Sequence, residues 1–294
     1  MFAGFTLTTI DTGETTIRVR HGGSGPPLLL LHGIPQTHLM WHKIVPALAR
    51  DFTVVATDLR GYGDSGTPPT TPDHAPYAMR ALARDQVAVM RELGFTRFDV
   101  AGHDRGGRCA YRLALDHPEA VGKLAVLDIV PTGEAFRRAD DAFALDYRVW
   151  SFLAAPHPVP ERLIGAEPQL VLDHMLDSWA TMPGAFTPAV RAEYLRAFRD
   201  PATIHAICEE YRAAATLDRE HDAADQGTRR IACPLLALWG GRGSWRRGTT
   251  RSPSGVTGPT MCAATPSIAA TSSPRKRRKK PTRLCTISSV HEQS

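Results

Sequence analysis

The sequence predicts an α/β fold: a mostly parallel sheet with helices on both faces and an inserted helical cap. Three observations predict it. Short apolar runs at 27–31, 52–57, 97–101 and 123–127 alternate with helical spacing at 41–49, 77–93 and 108–115; strands without polar alternation are buried on both faces, as in parallel sheets. The run at 97–101 leads into Gly102-His103-Asp104-Arg105-Gly106, a tight turn that opens a helix. After Pro131 the strand pattern stops, and 135–152, 168–180 and 188–215 read as helices broken by prolines.

The elements follow in order. Residues 5–10 and 15–20 alternate in polarity around Asp11-Thr12-Gly13, which predicts an antiparallel hairpin at a sheet edge. The run at 27–31 ends in His32-Gly33-Ile34-Pro35, the run at 52–57 in Asp58-Leu59-Arg60-Gly61-Tyr62-Gly63-Asp64-Ser65, and the run at 123–127 at Asp128. Ligands of such sheets bind at the carboxyl ends of strands, so one site can collect His32, Asp58, Asp104 and Asp128. Residues 234–239 resume as a buried strand. The chain thus divides into the first part of the core (1–131), a helical cap over the strand ends (132–228), a resuming core strand (229–243) and a tail (244–294).

Composition narrows the class. No apolar run approaches the ~18 residues of a membrane span, and the N-terminus lacks the pattern of a signal peptide. The five cysteines are scattered and without C-x-x-C spacing, which suits a reducing cytoplasm and speaks against a structural zinc site. The net charge of +5 belongs to the tail: 244–294 carry ten Lys and Arg and one acidic residue, Glu292, whereas the rest is net −4.

The chemistry centres on Asp104. The spacing G-x-D-x-G is the nucleophile-elbow pattern with aspartate where serine is commoner, its glycines needed where the turn leaves no room for a Cβ. A carboxylate at a helix N-terminus is favoured by backbone N–H groups and the dipole. An aspartate nucleophile attacks an electrophilic carbon and forms an ester, which water then hydrolyses with help from a histidine and an oxyanion hole. Arg105 and Arg108, three apart at a helix start, reach the same side, where two guanidiniums would grip a substrate carboxylate and keep Asp104 ionised.

Together, His32-Gly33-Ile34-Pro35, residues 58–65, Gly102-His103-Asp104-Arg105-Gly106 and Leu127-Asp128-Ile129-Val130-Pro131 resemble an α/β-hydrolase with an aspartate nucleophile, and within that superfamily the haloacetate (fluoroacetate) dehalogenases. The resemblance runs from about Gly25 to Gly243. It implies that Ile34 and Arg105 N–H form the oxyanion hole, that Asp128 orients the base histidine, and that Trp150 and Tyr211 donate to the departing halide. Arg108, Trp150-Ser151-Phe152-Leu153 and Cys208-Glu209-Glu210-Tyr211-Arg212 fit that subgroup better than epoxide hydrolases. Val149 departs from it, standing where the fluoroacetate pattern carries histidine; the expectation is weaker defluorination than dechlorination. His103 is expected to be structural. No metal or organic cofactor is implied.

The tail breaks the resemblance. Family members continue with a strand, a Gly-His-Phe segment bearing the base, and a final helix. Here 244–294 are rich in Ser, Thr, Pro and Arg, carry the basic run Arg275-Lys276-Arg277-Arg278-Lys279-Lys280, and hold one histidine, His291, with nothing to place it near Asp104. A bland alternative is a disordered tail. A reading-frame shift near Gly243 explains more. Residues 270–280 can be encoded so that one added G and regrouped bases read Gly-His-Phe-Leu-Ala-Glu-Glu-Ala-Pro-Glu, the expected base segment, its histidine straddling the codons of Ala270 and Thr271. The base is then absent, turnover is crippled, and a sheet edge is left uncovered.

The expected function is hydrolytic dehalogenation of haloacetates to glycolate and halide. Two alternatives stand beside it: an epoxide hydrolase, which needs a second lid tyrosine (Tyr147 is the nearest), and a non-catalytic protein whose basic tail contacts nucleic acid. The expected partner is a small haloacid; a homodimer is open, nucleic acid disfavoured, membrane excluded, and the location cytoplasmic.

Overall fold

The computed structural model describes residues 1–240 apart from Thr181 and Pro183. Seven strands form one sheet in the order β1-β2-β4-β3-β5-β6-β7. β1 (Thr6–Asp11) and β2 (Thr16–Gly23) are the antiparallel hairpin, with β1 at the edge and β2 antiparallel to β4 (Thr53–Thr57). β3 (Pro27–Leu31), β5 (Phe98–His103), β6 (Val121–Leu127) and β7 (Leu235–Leu238) run parallel, and β3 and β4 are neighbours in parallel register. Leu29, Leu31, Val54 and Val55 have no exposed surface, as expected for strands covered on both faces.

The core helices are α1 (Val45–Leu48), α2 (Met79–Glu92) and α3 (Arg105–Asp116). The helix expected over 41–49 is a 3₁₀ segment, His38–Lys43, followed by the single turn of α1: Pro46 is tolerated in a first turn but not mid-helix. α3 begins at Arg105, three residues before the expected start, so both arginines lie in its first turn.

Beyond β6 come α4 (Thr132–Arg137), α5 (Asp141–Asp146), α6 (Arg148–Leu153), α7 (Val159–Ala166), α8 (Pro168–Trp179), α9 (Pro188–Phe198), α10 (Pro201–Ala215) and α11 (Leu217–Asp225). The stretch 135–152, expected as one helix, is three, with Asp140 capping α5 through Phe143 N–H. The helix expected over 188–215 breaks at Pro201, where Asp200 caps α10. Arg112 of α3 pairs with Asp222 and Asp225 of α11, and Tyr111 donates to Asp222 (2.9 Å), tying the root of the cap to the core.

β7 lies where a strand was expected but is not buried: Leu236 and the following Trp239 are 49% and 47% exposed. The tail at 244–294, with its proposed frame shift, lies outside the described residues. No helix among the described residues is long and apolar enough to cross a membrane.

Candidate active site

The strand-to-helix turn between β5 and α3 puts Asp104 at φ 49°, ψ −116°, a strained conformation outside the helix and strand regions. The flanking glycines are required by packing: a Cβ on Gly102 would enter the Gly106 carbonyl, and one on Gly106 the carbonyls of Leu31 and His32. A Cβ on Gly33 would lie 2.5 Å from Asp104 Cβ. The turn therefore presents the carboxylate at the ends of β3 and β5, with its side chain 22% exposed.

Each carboxylate oxygen has one partner. Ile34 N–H donates to Oδ2 (3.1 Å) and Arg108 Nη1 to Oδ1 (3.0 Å). Arg105 N–H, at the head of α3, makes no bond to the carboxylate. Burial pushes the Asp104 carboxyl up, but Arg108, then His103 and Arg105, and the Ile34 N–H together hold it below the usual carboxylate range.

Both guanidiniums are buried. Arg105 lies 4.6 Å over the Tyr211 ring and Arg108 4.6 Å over Trp150, whose indole packs edge-on to Tyr211 at 6.0 Å. Trp150 of α6 is further walled by Phe136, Phe143 and Tyr147. Among the described residues, Arg105 Nη1, Arg108 Nε and the Tyr211 hydroxyl are buried donors that meet no protein acceptor. Burying such groups unpaired costs about 1–3 kcal/mol each; three of them beside an ionised aspartate suit an anionic ligand. Val149, adjacent to Trp150, is half-buried and offers no side-chain donor.

Arg105 has a partner the sequence did not announce. Glu210 of α10 accepts from Arg105 Nε (2.8 Å) and from the Tyr62 hydroxyl (2.5 Å). Its only signal was a glutamate one place before Tyr211 on an otherwise buried helix face. Burial works against the charge on both arginines; Glu210 more than restores it for Arg105, whereas Arg108 is left below the ordinary arginine value.

The four strand-end groups do not all serve one site. His32 Nε2 accepts from Leu59 N–H (3.0 Å), so its proton sits on Nδ1 and goes to the Gly33 carbonyl (2.9 Å). Burial lowers its pKa to about 4, which keeps it neutral. Asp58 accepts from His38 N–H (2.6 Å), His38 Nδ1 (2.8 Å) and Asp64 N–H (3.2 Å). These two groups order the loops rather than face the pocket: they saturate their hydrogen bonds on backbone and on each other's loops. Asp128, at φ 50°, accepts from Gly240 N–H (2.8 Å). No histidine among the described residues bonds to Asp128 or Asp104. The neighbouring His103 is buried at Nδ1 without a partner, and burial lowers its pKa against the pull of Asp104 and Asp128.

Among the described residues, one group of metal-ligating side chains lies together, in the cap, where ligand atoms of His157, Glu161 and His205 are within 4.8 Å of one another. Arg212 Nη1 already donates to Glu161 Oε1 (2.7 Å), so a cation there would face a guanidinium.

The model of the α/β hydrolase fold matches residues 26–241. This chain belongs to the α/β-hydrolase family. The α/β hydrolase described here is 50% identical over 244 residues to a fluoroacetate dehalogenase from Burkholderia sp., covering 83% of this chain and 80% of that one. It is 35% identical over 225 residues to a soluble epoxide hydrolase from Corynebacterium sp., covering 74% and 75%. Among solved structures it resembles an α/β hydrolase from Nostoc sp. PCC 7120, with a TM-score of 0.83, 55% identity and 84% of each chain covered.

Proposed function

We propose that this chain is a haloacetate dehalogenase in which Asp104 is the nucleophile. The observation that carries it is the pairing of an ionised elbow aspartate with two buried arginines that still have donors to give. The substrate carboxylate takes Arg105 Nη1 and Arg108 Nε, which places the halogenated carbon beside Asp104. Ile34 N–H keeps Oδ2 in the oxyanion hole; as the substrate carboxylate engages Arg108, which otherwise holds Oδ1, Oδ1 attacks: an O–C bond forms, the C–halogen bond breaks, and its electron pair leaves with the halide toward Trp150 and Tyr211. A base takes a proton from water as the water oxygen adds to the Asp104 carboxyl carbon, and the negative charge collects on Oδ2 beside Ile34 N–H and Arg105 N–H; the adduct then collapses, the Cγ–Oδ1 bond breaks, the base returns the proton to Oδ1, and glycolate departs.

That second half needs a histidine oriented by Asp128. The family match ends at residue 241, next to Gly243, near which we infer a change of reading frame. We infer that the base segment is lost with the frame, so that the chain is alkylated at Asp104 and does not turn over. The test is halide release from chloroacetate, counted per chain, with mass analysis of the Asp104 peptide.

The soluble epoxide hydrolase relative favours a second reading, epoxide opening by Asp104 with Tyr211 as acid. An epoxide carries no charge and would leave the buried donors of Arg105 and Arg108 unmatched, which weighs against it. Styrene oxide consumed faster than chloroacetate by the same chain would reverse the order.

A further inference from the structure

Four charges at the candidate site pair off two by two. Arg108 faces Asp104 (3.0 Å) and Arg105 faces Glu210 (2.8 Å), with Glu210 1% exposed and Arg105 fully buried. An incoming carboxylate therefore meets no excess positive charge and depends on where the remaining N–H groups point. A guanidinium is a rigid fork, so fixing one edge fixes the rest. Glu210 fixes that edge of Arg105 twice: Oε1 accepts from Nε, and its backbone carbonyl lies 3.5 Å from Nη2. Nη1 is the nitrogen left over, buried and without a protein partner. The other oxygen, Oε2, takes the Tyr62 hydroxyl at 2.5 Å. Tyr62 in turn packs edge-on against His32 at 5.2 Å, in the loop that follows β4. The buttress thus reaches from the cap through Glu210 to the core loops, and gives Tyr62, in the stretch 58–65, a task beyond packing.

We propose that Glu210 is the positioning residue of this site: through its bonds to Arg105 and Tyr62 it locks the Arg105 guanidinium so that Nη1 alone meets the substrate carboxylate. The inference rests on Arg105 and Arg108 binding that carboxylate. It assigns the two arginines different work. Arg105 is a directional donor whose charge is already balanced, and Arg108 answers the charge of Asp104 and of the substrate in turn.

The test uses the full chain, with acetate as an unreactive monocarboxylate followed by calorimetry, and chloroacetate alkylation of Asp104 followed by mass. Glu210→Leu removes the acceptor of Arg105 Nε; acetate affinity and the half-saturating chloroacetate concentration are expected to worsen at least tenfold (~1.4 kcal/mol). Glu210→Gln keeps an oxygen for Nε and is expected to recover most of that loss. A merely structural glutamate would instead lower the melting temperature and leave the affinity of the folded fraction intact. Tyr62→Phe, which leaves Arg105–Glu210 in place, is expected to weaken acetate two- to fivefold and decides the matter if Glu210→Leu does not fold. Wild-type affinity in Glu210→Leu, an unchanged Tyr62→Phe, or no recovery in Glu210→Gln each overturns the proposal. Acetate binding that depends on Arg108, without alkylation of Asp104, would sink the proposed reaction and leave the role of Glu210 standing; no acetate binding by the wild-type chain would sink both.

Discussion

Replacing Arg108 by methionine, an apolar side chain of similar reach, removes the cation 3.0 Å from Asp104 Oδ1. Two consequences follow from the geometry. Arg108 is the largest influence holding the Asp104 carboxyl low against burial, so without it the pKa of Asp104 rises. Asp104, as the proposed nucleophile, works only when ionised; in Arg108→Met its alkylation is therefore expected to be lost at a higher pH, as pH falls, than in the wild-type chain. The substrate carboxylate also loses one charge-assisted hydrogen bond in a buried site, worth about 1.5–3 kcal/mol, which is ~10- to 150-fold in affinity. The assay is the rate constant of Asp104 carboxymethylation by chloroacetate, taken across pH and concentration on protein with an unchanged melting curve. A folded Arg108→Met chain with the wild-type pH midpoint and half-saturating concentration would refute the assignment of Arg108 to both carboxylates.

Further outcomes follow from other groups. Val149→His adds a donor beside Trp150, and the ratio of fluoride to chloride released in the first turnover is expected to rise; an unchanged ratio removes position 149 from halide handling. Gly33→Ala places a Cβ 2.5 Å from Asp104 Cβ; about 1–3 kcal/mol of stability should be lost, with alkylation falling further than stability, as urea titration beside the adduct rate would show. His32 has a folded pKa of about 4 against 6.5, so below pH 6.5 the unfolded chain takes up the proton first and stability falls as pH drops toward 4, by up to ~3 kcal/mol. His32→Asn should flatten that part of the stability–pH curve, and an equal slope in the variant would contradict a buried neutral His32.

The strands and the elbow were legible because their signals are local. Continuous apolar runs mark doubly covered strands, and Gly102, Gly106 and Gly33 sit where a Cβ has no room. The cap was legible only in outline. α7 and α11 were not foreseen: Val159–Ala166 and Leu217–Asp225 are only eight and nine residues long, and they are held by long-range pairs, Arg212–Glu161 for α7 and Arg112–Asp222 and Arg112–Asp225 for α11. His32 and Asp58 shared the strand-end position of Asp104; only the donors around them, Leu59 N–H and His38, distinguish a loop-ordering group from one facing the pocket. Glu210 meets Arg105 across 105 residues, a separation that no window of sequence spans. Arg105 and Arg108 were read from spacing as equivalent clamps, whereas Glu210 makes them unequal.

The most direct measurement is the number of halide ions released per chain from excess chloroacetate, with the Asp104 peptide weighed in the same sample. The account predicts no more than one halide per chain and a carboxymethyl adduct on Asp104, both absent in Asp104→Asn. Many halides per chain would show that a base is in place and contradict the inferred loss of the histidine. Neither halide nor adduct from a folded chain would contradict Asp104 as the nucleophile toward haloacetate.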